Sequence, residues 1–311
     1  MRISLNAAVG INGPQTVNQV IEEIADAGQA GYAAAWVPQM PPWPGIAPWD
    51  ALTIAALAGA AVPQIGLGTS VVVAQTRHPL TLAGQALTAQ SATGNRVTLG
   101  VGVSQAPVIE SVYGYPFERP ARYLREYLEV LLPALAGESV EHAGEALTAN
   151  GQLTFPGVQA PSVVLAALGP QMLRLAGELT DGTVTAWTGP RTIGEHITPR
   201  LTAAAAAVGR PQPRVIVGAL VCVTDDGDTT RAAIAELFGG AGSMPSYRSM
   251  LDIEGVASTA DVALVGTEEQ IAADLRRYAD AGATELVAAL VGSPGEQART
   301  TAFLTSLPQA A

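Results

Sequence analysis

His78 is the residue of this chain best suited to move a proton near neutral pH. It follows the apolar run Ile65–Val73 and stands directly before Pro79, where a helix-patterned segment begins. In that place an imidazole can contact a ligand or supply a proton, and its plainer role is to cap the helix. Gln39 and Gln105 follow two further apolar runs, Ala33–Val37 and Val97–Val103. A carboxamide is neither acid nor base, but it can orient a carbonyl by hydrogen bonding. Ala167-Leu168-Gly169-Pro170-Gln171 reads as a strand end, a flexible turn and a helix start. Free amides and the positive dipole end at such a helix start suit a phosphate. Met40, Trp43 and Trp187, with Trp36 and Trp49, fall near strand ends and give the region an apolar cast, although tryptophans also serve ordinary core packing. Tyr113, Tyr115 and Glu110 follow the fourth strand and are candidates to line a pocket or supply a proton.

The elements that must position these residues alternate. Strand-like runs at Arg2–Val9, Ala33–Val37, Ile65–Val73, Val97–Val103, Val163–Ala167, Gly182–Ala186, Val215–Val223 and Glu285–Val291 are separated by helix-like ones. The helical segments are Val17–Ala30, Asp50–Ala61, Pro79–Thr93, Arg119–Ala136, Pro170–Leu179, Thr192–Val208, Asp228–Phe238, Thr267–Gly282 and Glu296–Leu307. Nearly continuous apolar strands with helical crossovers predict a parallel sheet covered on both faces. About eight such units predict an α/β fold of the (β/α)8 TIM-barrel type, a single domain over residues 1–311. Ligands of that fold bind at the carboxyl ends of the strands, where the candidates lie. Residues 138–155 break the rhythm and predict a small hairpin insertion. Pro41, Pro42, Pro44 and Pro48 predict a stiff loop, and Gly239–Ser258 an irregular stretch able to act as a lid.

Composition narrows the chemistry. The chain has 311 residues, 48% of them hydrophobic, and a formal net charge of −11. That charge argues against nucleic acid and acidic membrane surfaces as partners. No run is long and apolar enough for a bilayer crossing, and the start lacks a signal-peptide core, so a cytoplasmic protein is expected. One cysteine, Cys222, allows no internal disulfide and fits a reducing compartment. All 16 basic residues are arginine. Without lysine there is no Schiff-base aldolase, pyridoxal-phosphate or P-loop chemistry. His142 lies in the insertion and His196 in an outer helix. The three histidines show no metal-ligand spacing, so no metal site is expected. Arg119, Arg122 and Arg125, with Glu118, Glu126 and Glu129, are spaced for helical ion pairs.

GTSVV, then RHP, then a helix with AxQ, then GNRVTLGVGVS resembles the bacterial-luciferase-like superfamily. More narrowly it resembles the coenzyme F420 (deazaflavin)-dependent oxidoreductases within it. GYPFERPARYLREYLEVL (Gly114–Leu131) and AALGPQMLRLAGELTDGTVTAW (Ala166–Trp187) extend the match over nearly the whole chain. The resemblance implies that Ser70–Val71 forms a cis-peptide bulge cushioning the cofactor ring, with Gly102, Val103 and Ser104 at the neighbouring strand end. It implies that Ala167, Leu168, Gly169, Pro170 and Gln171 hold the cofactor's phosphate-bearing tail, with Thr188, Gly189 and Arg191 adding donors and charge. A homodimer, and a separate enzyme that reduces the cofactor, are further implications.

This chain departs from the sugar-phosphate dehydrogenases of that group. Gln39 and Met40 stand where those enzymes carry an acidic residue and a histidine, and Gln105 stands in place of a glutamate. A small neutral substrate with an activated C=C, C=N or C=O bond is therefore expected, positioned by Gln39, His78 and Gln105 in a pocket of Met40, Trp43, Tyr113 and Trp187. An FMN-dependent monooxygenase using O2 is the first alternative, and a non-catalytic flavin-binding barrel the second.

Overall fold

The computed structural model describes residues 1–8, 13–43 and 45–308. Val9 of the first expected strand and Pro44 of the proline-rich loop lie outside that set. The strands, in chain order, are β1 (Arg2–Asn6), β2 (Ala34–Val37), β3 (Gly66–Thr69), β4 (Val72–Val73), β5 (Val97–Gly102), β6 (Val140–Ala143), β7 (Thr148–Gly151), β8 (Ser162–Ala166), β9 (Gly182–Ala186), β10 (Arg214–Val223), β11 (Leu264–Gly266) and β12 (Glu285–Leu290).

Among the described residues, eight strands are hydrogen-bonded in the order β12-β1-β2-β3-β5-β8-β9-β10, and β10 pairs with β12 again, which closes a (β/α)8 barrel. β4 continues the course of β3 along β5, and β11 adds to the carboxyl end of β10. β6 and β7 pair antiparallel, from Val140 opposite Gly151 to Ala143 opposite Thr148, as the expected hairpin.

The chain divides into two compact units. One holds residues 7–28 and 36–166. Its core includes Leu67, Leu99, Val101, Leu82, Leu124 and Leu128. Trp36, which the sequence placed near a strand end facing a site, is 1% exposed and part of this core. Gly68 is what admits it: a Cβ there would overlap the indole ring. The other unit holds residues 1–6, 29–35 and 167–311. There the buried Glu285 carboxylate accepts from Ser4 Oγ at 2.7 Å and from Arg214 Nη2 at 2.8 Å.

Helix boundaries follow their local signals. Asp50 accepts from the Thr53 amide at 2.8 Å and caps Ala51–Ala61. Thr267 and Ser293 form capping boxes with Gln270 and Glu296. Gly31, at φ 99°, stops Val17–Ala30. Four elements depart from expectation. Ala106–Ser111 is a short helix where no element is expected, and β11 lies between the stretch expected to be irregular and the helix that follows Thr267. Pro245–Glu254 is a helix inside the stretch expected to be irregular. Pro245 at its first turn and Gly255 at φ 82° bound it as helix ends commonly are. Its charges and small polar residues hid the apolar period. The segment Thr192–Val208 is also not one regular helix, because Ile193–Ile197 forms a π-helical turn ahead of Thr198–Ala207.

Candidate active site

The unit containing β3, β4 and β5 builds a small platform. The Ser70–Val71 peptide between β3 and β4 is cis. The Ser70 amide donates to Val37 O at 2.9 Å. The Thr69 hydroxyl both donates to Gly100 O and accepts from the Gly100 amide, each at 2.9 Å, which joins the strands where the backbone ladder is interrupted. Val71 rests on two glycines. A Cβ on Gly100 would lie 2.9 Å from Val71 Cγ1 and would overlap Thr69 O, and one on Gly102 would lie 2.8 Å from Val71 Cγ2. The Ser70 hydroxyl is buried and has no hydrogen-bond partner. A buried polar atom left so asks for a ligand or water. Ser104, just past β5, holds φ 59°, a conformation that few non-glycine residues adopt.

Gln39 and His78 are engaged elsewhere in the same unit. Gln39 Oε1 accepts from the Ala51 amide at 3.2 Å and from Arg77 Nη2 at 3.1 Å, and its Nε2 donates to Trp49 O at 3.4 Å. Arg77 also pairs with Asp50. Burial of the Asp50 carboxyl would raise its pKa, but the Thr53 hydrogen bonds and Arg77 outweigh it and hold the value below the usual aspartate range. His78 Nδ1 accepts from the Leu80 amide at 3.3 Å, and Nε2 lies 3.1 Å from Thr148 O. Both ring nitrogens of His78 thus lie within hydrogen-bond reach of backbone groups. These contacts tie both residues to loops of the same unit. Gln105 begins Ala106–Ser111 without capping it through its side chain.

The other unit holds the turn at Ala167–Gln171, where a phosphate cradle is expected. Ala167 is fixed by the Thr183 hydroxyl, which accepts from its amide at 3.3 Å and donates to its carbonyl at 3.2 Å. Leu168 O lies 2.8 Å from Nε2 of His196, a residue whose sequence position gave no such hint. Helix Pro170–Leu179 follows with no side-chain cap, so its first-turn amides, Gln171 and Met172, face no competing side chain of a capping residue. A Cβ on Gly169 would meet nothing within 4 Å.

Thr188, Gly189 and Arg191 are different. Glu254 Oε1 accepts from the Arg191 amide at 3.2 Å, and Oε2 from the Thr192 amide at 2.7 Å. A Cβ on Gly189 would collide with the Glu254 carboxyl group. The Arg191 guanidinium pairs with Glu195 at 3.0 Å. Thr188 is 1% exposed, shares a 2.9 Å hydroxyl hydrogen bond with Thr185 and accepts from Tyr278 Oη at its carbonyl. The chain's own groups therefore answer the Thr188 hydroxyl and the Arg191 amide and guanidinium. Trp187 holds φ 58° and packs against Phe238 with ring centroids 5.4 Å apart.

A cavity of about 490 Å3 opens in the unit of β3–β5, lined by Gln75, Tyr115, Phe117, Arg122, Tyr123 and Glu145 among others. None of Met40, Trp43, Tyr113 or Trp187 lines it.

Comparison with known proteins decides the family. The family model described as luciferase-like monooxygenase matches residues 2–285. The chain belongs to the luciferase-like monooxygenase family. It is an enzyme of that family by this match. Among its relatives, a putative coenzyme F420-dependent oxidoreductase of Mycobacterium tuberculosis is 29% identical over 262 residues, covering 78% of this chain and 74% of the relative. Among solved structures, an F420-dependent secondary alcohol dehydrogenase in complex with an F420-acetone adduct superposes with a TM-score of 0.82 at 17% identity, covering 98% of this chain and 97% of the other. The oxygenating constituent of 3,6-diketocamphane monooxygenase from Pseudomonas putida, in complex with FMN, gives 0.79 at 16% identity, with both chains fully covered. At these identities the two structures speak to the luciferase-like fold alone.

Proposed function

We propose that this luciferase-like enzyme transfers hydride between coenzyme F420 and a small neutral organic substrate. The observation that carries the reading is the platform of Val71, seated on Gly100 and Gly102 beside the buried, partnerless hydroxyl of Ser70. A planar ring needs an apolar surface against one face and a polar atom at its edge, and these residues offer both. The relative from Mycobacterium tuberculosis, named for F420, supports the choice of ring.

When bound, a deazaflavin supplies a ring carbon that gives or accepts hydride. The chain's own residues do the rest. Val71 supports the ring face, and the Ser70 hydroxyl fixes its edge. The uncapped amides of Gln171 and Met172 suit a phosphate-bearing tail, with His196 and Thr183 holding the turn before them. With His78 tied to loop backbone, water or a tyrosine is the proton donor in this reading.

FMN-dependent oxygenation is the second reading, favoured by the name of the family and by the FMN-bound neighbour of the same fold. A titration of the purified chain with F420 and, separately, with FMN decides between them. Exclusive binding of F420 is the expected result. A preference for FMN moves the assignment to the monooxygenases, and binding of neither overturns the platform as a cofactor site.

A further inference from the structure

We propose that Arg77 and Gln39 are positioning residues of the cofactor seat: they join the chain leaving the Ser70–Val71 platform to the loop after β2, and so hold Val71 where a planar ring would rest on it. The inference depends on the platform being the cofactor site, and it deepens that reading by naming what keeps the seat in shape. The exit of β2 grips the platform from both sides. Before it, the Ser70 amide donates to the carbonyl of Val37, the last residue of β2, at 2.9 Å. After it, β4 runs into a single turn, Ala74–Thr76. The Thr76 hydroxyl closes that turn on Val73 O at 2.9 Å, and the Arg77 amide closes it on Ala74 O at 3.2 Å. The Arg77 guanidinium then donates to Oε1 of Gln39, two residues past β2, at 3.1 Å.

The join has one geometry. Gln39 Oε1 accepts from two donors, the Ala51 amide and Arg77, while Nε2 donates to Trp49 O. Turned over, the carboxamide would set its oxygen against the Trp49 carbonyl and its NH2 group against two donors. Arg77 also pairs with Asp50, the cap of Ala51–Ala61, and its other arm donates to Gln85 of Pro79–Ala92 at 3.4 Å. One planar guanidinium thus ties the loop after β2 to the starts of two helices, which a single ammonium could not do. The Arg77 side chain is only 15% exposed, so a partner lost from this network is poorly replaced by water. The network's bonds run to the chain itself, and it acts on a ligand through the position of Ser70 and Val71. A seat held in advance needs no ordering when the ring arrives, and affinity gains by that difference.

The test uses the full chain and the phosphate-free core of F420, its deazaflavin ring with the ribityl chain, so that only the seat is probed. Affinity is read by isothermal titration calorimetry, and the shape of the seat by the circular dichroism that the bound ring acquires in its own absorption band. Gln39→Met keeps the length of the side chain and leaves the Arg77–Asp50 pair in place, whereas Arg77→Leu removes the guanidinium. Each should weaken binding of the core about tenfold and reduce the induced signal of the saturated chain about twofold. The double variant should bind about as the weaker single one does, rather than about a hundredfold worse than native, because both changes break the same join. A role in stability alone would lower the unfolding temperature and leave affinity and induced signal unchanged. That result overturns the proposal, and so do losses that multiply in the double variant. Should Arg77→Leu fail to fold, Gln39→Met decides by itself. A native chain that binds neither F420 nor the core removes the cofactor reading and the seat with it. A native chain that binds the core, with variants that bind it equally well, keeps that reading and sinks the positioning role.

Discussion

The Glu254 carboxylate accepts the Thr192 amide at 2.7 Å and the Thr192 hydroxyl at 2.8 Å, and so fills the short helix start beside Thr188, Gly189 and Arg191, which the family resemblance implies as further donors and charge for the cofactor's phosphate. A carboxylate there satisfies the orphan amides and complements the local dipole as a bound anion would. Glu254→Ala should therefore cost about 1–2 kcal/mol of stability, read by urea unfolding. F420 affinity should change less than about twofold, because the cofactor's phosphate is assigned to the turn at Gly169–Gln171. A large loss of affinity with little loss of stability would return Gly189 and Arg191 to the cofactor site.

Ser70 should show opposite signs for folding and binding. Its hydroxyl is buried without a partner, so Ser70→Ala should stabilise the cofactor-free chain, by about 1 kcal/mol, through relief of an unmet desolvation cost. The same change should weaken cofactor binding by about tenfold if the hydroxyl meets the ring edge. Gly102→Ala tests the support beneath: its new Cβ would crowd Val71 Cγ2 and Ala166 Cβ, at 2.8 and 2.9 Å. Overpacking of this kind costs about 1–3 kcal/mol. Thermal unfolding with and without cofactor separates the two effects, and parallel losses of folding and binding at Ser70 would contradict the assignment.

His78 should behave as a cap. Its Nδ1 takes the Leu80 amide, a bond that a serine hydroxyl can replace at the start of Pro79–Ala92. His78→Ala should lose about 1 kcal/mol, and His78→Ser should recover most of it. The pH profile of kcat should keep its shape in both. A lost inflection in His78→Ser would restore the proton-transfer role that its place in the sequence implied.

The fold was legible because its signals are local and repeated. Val17–Ala30, Pro170–Leu179 and Gly182–Ala186 fall where hydrophobic periodicity, Pro and Gly place them. The platform glycines are legible too once Val71 is known to need room. What a linear reading hides is competition for donors. Nothing near Gly189 announces that Glu254, more than sixty residues later, will bind its neighbours' amides, because Glu254 sits on a short, largely polar helix remote in sequence. Gln39 likewise looks free in sequence, yet three groups from Trp49, Ala51 and Arg77 converge on it once the loop closes. Tyr115 and Glu145 are thirty residues apart and meet on one cavity wall only through the hairpin of β6 and β7.

Two glutamates in one unit should give opposite dependences on pH. Glu126 accepts the Ala146 amide, and that bond, with Glu145's amide, Arg122 and His142, outweighs burial and holds its pKa below the ordinary 4.5. A depressed folded-state pKa contributes stability above the unfolded value, and that contribution is lost as pH falls through the folded one. Glu23 is the reverse. Burial dominates the hydrogen bonds from Gln15 and Ala8 and raises its pKa above 4.5, so its ionisation costs stability as pH rises through that raised value. Glu126→Gln should thus be destabilising at about pH 7, with the deficit shrinking below the ordinary glutamate range. Glu23→Gln should match the native chain in acid and exceed it at about pH 7, since an amide oxygen still accepts from Ala8 without carrying charge into the interior. Urea midpoints of both variants across that range provide the check. A Glu23→Gln variant less stable than the native chain at neutral pH would show that the Ala8 and Gln15 bonds, rather than burial, govern this carboxyl.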